Sequence, residues 1–365
     1  MVLTNSADET RPDQAGIPRQ RRLGIQGPIN MKQQHRFYEF IATIAKVIRL
    51  FVCATFFCVV AHAQSYPAKP IQAVIPFAAG GPTDTLGRNL GVAWGKGLKQ
   101  TIIVENLSSA GGIVAVGRVA RANPDGYTLL MHHIGMSTMP ALYRKLDWDA
   151  LNDFEYIGLV ADVPMTLVAR NNFPANNFKE FLAYIKANNS KVTLANAGVG
   201  AASHLCGLLF MSAIQTDFLT VPYKGTAPAM NDLLGGQVDF MCDQTTNTTG
   251  QIKGGKIKVY GVTTPKRLAS LPDVPTLDEQ GMKGFTVGIW HGVYAPKKTP
   301  KPVLDTLVTT MQHALHDADL IKNLAQLGTE PVPQNLATPQ ALQSHLKAEI
   351  EKWGPIIKKA GVYAD

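Results

Sequence analysis

From residue 68 onward, short runs of β-branched and apolar residues alternate with stretches of helical period, and this alternation restricts the chain to an α/β architecture. It predicts strands at 71–75, 102–105, 128–132, 156–160, 165–169, 192–196, 220–222, 240–242, 259–262 and 292–295, in a largely parallel sheet. Helices are expected over 83–97, 112–122, 177–188, 202–216, 227–234, 245–252, 302–315 and 339–357. No repeat, low-complexity tract or linker interrupts this body. With 365 residues, the chain has room for two domains or one large α/β unit. Apolar residues make up 45% and charged residues 17%, which excludes disordered, collagen-like and coiled-coil chains.

Ahead of this body, residues 47–61 form an apolar run, preceded by Lys32, Arg36, Lys46 and Arg49 and followed by Ala61-His62-Ala63. This is the order of a cleavable secretory signal, with cleavage expected after Ala63. A membrane anchor is the competing reading, but about 15 apolar residues containing Arg49 fall short of the roughly 20 that a bilayer needs. Residues 1–30 are polar and Arg-rich, and Met31-Lys32 is an ordinary signal-peptide start, so the first thirty residues read as an over-called start. Removing residues 1–63 takes eight of 35 Lys/Arg and four of 27 Asp/Glu, which lowers the net charge from +8 to about +4. Without a basic cluster or basic-aromatic stripe, no nucleic-acid partner is expected. Cys53 and Cys58 leave with the signal, so Cys206 and Cys242 remain in an oxidising compartment. They either form one bridge or stay as two buried thiols.

In α/β folds, ligands gather where strands end and helices begin. The first such turn, residues 76–84, contains Phe77, Ala79, Gly80, Gly81, Thr83 and Asp84. Its glycines permit close backbone approach, Thr83 or Asp84 can cap the helix, and free N–H groups at the helix start can cradle an anion. The alternative is an ordinary tight turn. A second turn, residues 195–204, contains Ala197, Gly198, Gly200, Ala201, Ala202, Ser203 and His204 and has the same small-residue character. It resembles a damaged dinucleotide fingerprint, G-x-G-x-x-S, with no acidic residue at the expected distance. The phosphate-loop motif is also absent, so no cofactor is expected.

The G-x-S-x-G and H-E-x-x-H signatures are missing as well, as is an S-x-x-K followed by a K-T-G. His313 and His316 share a helix face, but Asp317 beside them marks a solvated surface better than a metal site, and no metal is expected. His204 is either a ligand contact or a helix-start residue. Asp243 ends a strand and either caps a helix or screens ligands by charge. Tyr223-Lys224 sits at another strand end, where Lys224 is either an ordinary surface charge or an anion partner. Trp290 is either core or the wall of a flat pocket.

Several runs together carry a family resemblance: YPAKPIQAVIPFAAGGPTDTLGR directly after the signal, VENLSSAGGIVAVGRVARANPDGYTLL, VTLANAGVGAASHL, VPYKGTAPAMNDLLGGQVDFM, LPDVPTLDEQG and YAPKKTPKPVLDTL. In this order the chain resembles, across residues 66–365, the Bug-type extracytoplasmic solute-binding proteins of tripartite tricarboxylate transporters. The resemblance implies a type II-like periplasmic-binding-protein fold with two α/β domains and a central cleft. Domain 1 would comprise residues 64–167 and 291–365, and domain 2 residues 168–290. It further implies a periplasmic, non-enzymatic monomer that passes a small organic acid to large and small membrane permease subunits. The two cradles would hold a ligand carboxylate through backbone N–H groups and water. Phe77, Asp84, Ser137, Tyr223, Asp243 and Trp290 would read the rest of the ligand, and a second carboxylate would need Lys224, Arg88 or more backbone donors. Di- and tricarboxylates, aromatic carboxylates and acidic amino acids all suit such a site. Two competing readings are an exported hydrolase using Ser203 with His204 or Asp243, and a ligand-binding subunit feeding a sensor kinase.

Overall fold

The computed structural model describes residues 31–59, 66–108, 110–361 and 363–364, and the chain forms two compact units, residues 1–63 and 64–365. In the first unit, helix α1 (Met31–Val59) exposes Phe37, Tyr38 and Phe40. Residues 1–30, expected to be an over-called start, and the expected cleavage site at 61–63 lie outside the described residues. Among the described residues, no helix is long and apolar enough to cross a membrane.

The second unit runs β1 (Ile71–Ile75), α2 (Pro82–Leu98), β2 (Ile102–Asn106), α3 (Ile113–Ala120), β3 (Thr128–His133), α4 (Gly135–Leu142) and β4 (Phe154–Arg170). It continues through α5 (Phe178–Ala187), β5 (Thr193–Asn196), α6 (Ala202–Ile214), β6 (Leu219–Pro222), α7 (Thr226–Leu234), β7 (Phe240–Gln244), α8 (Thr245–Lys253) and β8 (Ile257–Val262). It closes with β9 (Gly288–Pro296), α9 (Lys301–Ala314), α10 (Ala318–Gln326) and α11 (Pro339–Ala360). Among the described residues, nine strands form one sheet in the order β2-β1-β3-β9-β4-β7-β5-β6, with β8 also paired to β4.

That sheet is mixed, which corrects the expectation of a largely parallel one. β1 pairs in parallel with β2 and β3, and β5 with β6 and β7, but every pairing that involves β4 or β9 is antiparallel. These two strands carry the chain between the sheet's halves and therefore run against their neighbours. β4 is one 17-residue strand where the sequence suggests two runs. Up to Pro164 it pairs with β9, and from Met165 it pairs with β7 and β8. Pro164 thus falls where the strand changes partners, a position that tolerates a missing N–H.

Each half has its own apolar packing. Leu86, Leu90, Ala93, Trp94 and Leu98 recur at helical spacing along α2 and bury that face against β1 and β3. The other half is centred on Phe173, Phe181, Phe210, Phe240 and Tyr260. Each such side chain contributes about 1.5–3 kcal/mol by leaving water. The strand-to-helix turns of both halves therefore rest on rigid supports.

Candidate functional site

Buried strand β1 delivers the chain into the first turn, and Pro82 starts α2 with its φ already set for a helix. No side chain caps this helix at Gly81. Instead the Asp84 carboxylate shapes the turn from within: Oδ2 accepts from the Gly80 N–H and from Arg88 Nε, each at 2.9 Å, and Oδ1 accepts from Asn106 Nδ2 at 2.9 Å. Asn106 Nδ2 also donates to the Phe77 carbonyl at 3.1 Å. Burial pushes the Asp84 pKa up, but the hydrogen bonds from Arg88, Gly80 and Asn106 outweigh it and hold the carboxyl below its ordinary value.

Beneath the turn lie three buried histidines. Phe77 stacks on His133, ring centroids 4.5 Å apart, and meets His132 edge-on at 5.5 Å. His291 Nδ1 donates to the Ile289 carbonyl at 2.9 Å, which leaves its Nε2 to accept from the Thr83 hydroxyl at 3.2 Å. Burial and mutual repulsion drive His132 down to about 3 and hold His133 well below 6.5, and burial takes His291 down to about 4. The cluster is neutral, so it adds no positive charge to the site.

In the second turn, internal hydrogen bonds occupy much of the loop's own backbone. Ala197 N–H donates to Ser203 Oγ at 2.8 Å, Gly198 N–H to Asn196 Oδ1 at 2.9 Å, Gly200 N–H to His204 Nδ1 at 3.2 Å, and Ala201 N–H to the Gly198 carbonyl at 3.0 Å. Gly198 sits at φ +109°, where a side chain would be strained. The N–H groups without an intrahelical acceptor are those of the first helical turns, Thr83 and Asp84 in α2 and Ala202, Ser203 and His204 in α6. Burial takes His204 down to about 4, so it too is neutral. A Cys206–Cys242 disulfide ties α6 to β7 behind this turn.

The two turns meet. Phe77 packs against Ala197 and Ala201. A Cβ built on Gly225, just ahead of α7, would fall 3.0 Å from the Ala78 backbone nitrogen, and one built on Gly111, just ahead of α3, would fall 2.5 Å from the Val199 carbonyl oxygen. The N-terminal ends of α2 and α3 from one half therefore face those of α6 and α7 from the other, across a mouth that is shut in this structure. Converging helix N-termini aim free N–H donors at the mouth, with the Asp84 carboxylate in the first turn of α2 and Lys224 on the loop ahead of α7.

The remaining candidate residues fall in different places. Ala79 and Gly80 are exposed at the lip, whereas Gly81, Thr83 and Asp84 are buried. The Tyr223 hydroxyl donates to Asp232 at 2.6 Å, and burial together with that carboxylate pushes its pKa up to about 12. Lys224 follows it on the loop between β6 and α7, and Arg88 is committed to Asp84. Asp243 is fully buried at the end of β7 and accepts from the Gln244 N–H and from Asn247, and burial raises its pKa to about 7. Ser137 bonds back to the Ile134 carbonyl at 2.7 Å, while its neighbour Thr138 reaches the Gly200 carbonyl at 3.4 Å. Trp290 lies apart from the mouth. Alternation along β9 sends His291 toward Thr83 and Trp290 to the other face, against His345 and Glu349 of α11. No hydrogen bond joins Ser203 to His204 or Asp243, because each of those side chains holds backbone or a neighbouring amide instead. Among the described residues, no group of three or more His, Cys, Asp or Glu is placed to hold a metal ion.

Sequence reasoning passed over Asn106, Gly111, His132, His133, Thr138, Gly225 and His291. The available signal was chemical: the Gly111-Gly112 turn after β2 repeats the strand-Gly-helix pattern of the two cradles.

A profile of the family described as Tripartite tricarboxylate transporter family receptor matches residues 86–362. A UPF0065 protein of Agrobacterium vitis is 46% identical over 318 residues, which cover 87% of this chain and 92% of that relative. The structure of the periplasmic binding protein BugD matches with a TM-score of 0.79 at 54% identity, covering 82% of this chain and 99% of BugD. MatC from Rhodopseudomonas palustris, solved with bound malate, matches with a TM-score of 0.76 at 37% identity, covering 80% of this chain and 100% of MatC.

Proposed function

We propose, from the premise that this chain belongs to the tripartite tricarboxylate transporter receptor family and has the periplasmic-binding-protein fold, that it captures a small dicarboxylate and delivers it to a membrane permease. The observation that carries this reading is the meeting of two uncapped helix starts, Thr83-Asp84 and Ala202-Ser203-His204, across the closed mouth. One ligand carboxylate lies between these first turns and accepts from both. Such an anion binds the closed state better than the open one, so binding closes the mouth. The bound malate in MatC supports a four-carbon diacid as the first candidate. Residues 64–167 with 291–365 move as one domain and 168–290 as the other, and the exported receptor acts as a monomer after loss of residues 1–63.

The test is a thermal-shift screen of the exported protein, first unfolded and refolded to strip carried-over ligand. The panel holds malate, other dicarboxylates, citrate, aromatic acids, acidic amino acids and sugars. A true ligand at a hundredfold excess over its dissociation constant adds about 2.7 kcal/mol of stability, and the acid is recovered unchanged. A panel with no stabilising acid, or a stabilising acid that is consumed, overturns the proposal.

A further inference from the structure

Behind the crossing strands, on the opposite face of β9 from His291, lies an open cavity of about 910 Å³. Asp162, His345, Glu349 and Trp353 line it from one half, Phe285 and Ser212 from the other, and Trp290 stands at the crossing between them. Its acids are unequally satisfied. Glu349 accepts from Trp353 Nε1 at 2.8 Å, Trp290 Nε1 at 3.4 Å and Lys352 Nζ at 2.9 Å. Asp162, directly opposite Trp290 in the β4–β9 register, is exposed to solvent in the cavity mouth, and its carboxylate has no hydrogen bond or ion pair among the described residues. Gly288 lies flush against it, with an ideal Cβ falling within van der Waals overlap of Oδ1. His345 packs edge-on against Trp290 at 4.9 Å, and its buried Nε2 has no partner.

We propose that this cavity binds a small organic amine, with the ammonium on Asp162 and the body against Phe285 and Trp290, and that the bound amine holds the mouth shut. Lys352 Nζ already lies over the Trp353 ring at 5.2 Å, so the aromatic surface left beside the unpaired carboxylate is that of half-buried Phe285 and the Trp290 edge, which with Asp162 supplies charge and a π-system for ammonium recognition. The competing cations are already committed or screened: Lys352 pairs with Glu349, Lys283 pairs with Asp278, and Lys186 stands exposed at the rim. The effect on the mouth follows from position. The chain passes between halves along residues 164–168 and 287–291, beside Asp162. Rotation about these crossings that draws Gly111 away from Val199 drives α11 toward Phe285 and α6, so opening the mouth narrows this cavity. An occupant resists that narrowing, stabilises the closed state and tightens the grip on the primary ligand by the same factor that the ligand tightens the amine. The second half of the proposal rests on the receptor reading above, whereas the first half stands without it.

The test uses the full exported chain and phenethylamine as probe at constant ionic strength. Binding is read from tryptophan fluorescence, closure from the radius of gyration by small-angle scattering, and linkage from malate affinity with and without saturating amine. The expected results are saturable binding, weakened at least about tenfold in Asp162→Asn; a smaller radius with amine bound; and a severalfold tighter malate constant. No saturation up to about 10 mM, or equal affinity in a folded Asp162→Asn protein, overturns the amine site. An unchanged radius overturns the closure effect. If malate fails to bind at all, the receptor proposal fails on that ligand, while the fluorescence and scattering arms still decide the amine site.

Discussion

Replacing Gly111 by alanine separates backbone strain from closure of the mouth. Gly111 has φ +62°, so an alanine there costs about 1–2 kcal/mol of left-handed strain whether the mouth is open or shut. The second cost exists only when shut. The added Cβ falls 2.5 Å from the Val199 carbonyl oxygen on the other half, and relieving that overlap needs roughly 1 Å of separation between the two halves; its 3.1 Å approach to the Tyr143 hydroxyl lies within one half and adds only to the first cost. Overpacking of this size costs about 1–3 kcal/mol. Because the cost is charged against the binding-competent state alone, ligand affinity falls by about 5- to 150-fold. Gly236 supplies the control: its φ is +72° and a Cβ there meets nothing within 4 Å, so Gly236→Ala carries strain without a clash. Calorimetric titration of malate, or of whichever acid the screen selects, should show weakened binding in Gly111→Ala only, while both variants melt earlier than the parent. Equal affinity in the two variants would refute closure of this mouth as the binding event.

Three further outcomes are expected. The Cys206–Cys242 bridge closes a 36-residue separation, so the double alanine variant loses about 3.8 kcal/mol in the chain-entropy account and melts roughly 6–10 °C lower; an unchanged melting temperature contradicts this. Asp243 ionises near 3.8 when unfolded but near 7 when folded, so the folded state holds the extra proton and stability drains away as pH rises from about 4 to 7; Asp243→Asn should abolish that slope in melting temperature. His132, His133, His204 and His291 have folded pKa values depressed below 6.5, so the unfolded chain takes up protons first; in the Asp243→Asn background, urea midpoints should fall between pH 7 and pH 5, and a midpoint that holds or rises counts against a neutral histidine cluster.

Features set by local chain chemistry were legible in the sequence. The turns at 76–84 and 195–204 were identified because small residues between a strand and a helix leave few alternatives. What escaped depends on neighbours distant in the chain. His132, His133 and His291 come together only because β3 pairs with β9, a register no local pattern encodes. The same pairing decides that Trp290 and His291 face opposite ways, so a residue suited to a ligand wall lines the rear cavity instead. Helix α4 was missed because GMSTMPAL is buried nearly all round and carries Pro140 inside, so it has no polar face to mark its period. Pro164 made one crossing strand look like two, since the partner change that accommodates it is a property of the sheet.

The donor arrangement also bears on release. A receptor that held its anion with a buried Arg would keep most of that attraction after opening, because the charge would remain on one half. In the proposed site the donors are divided between Thr83-Asp84 on one half and Ala202-Ser203-His204 on the other, and the buried histidines beneath are neutral. Each N–H contributes about 0.5–1.5 kcal/mol net, so separating the halves removes two or three donors at once and weakens the grip by several kcal/mol. On the proposed reading, the mouth's geometry, rather than any single residue, sets both affinity and discharge. A permease that pries the halves apart would then empty the site without competing for the anion itself, and a lysine introduced at Ala202 should slow release far more than it speeds capture.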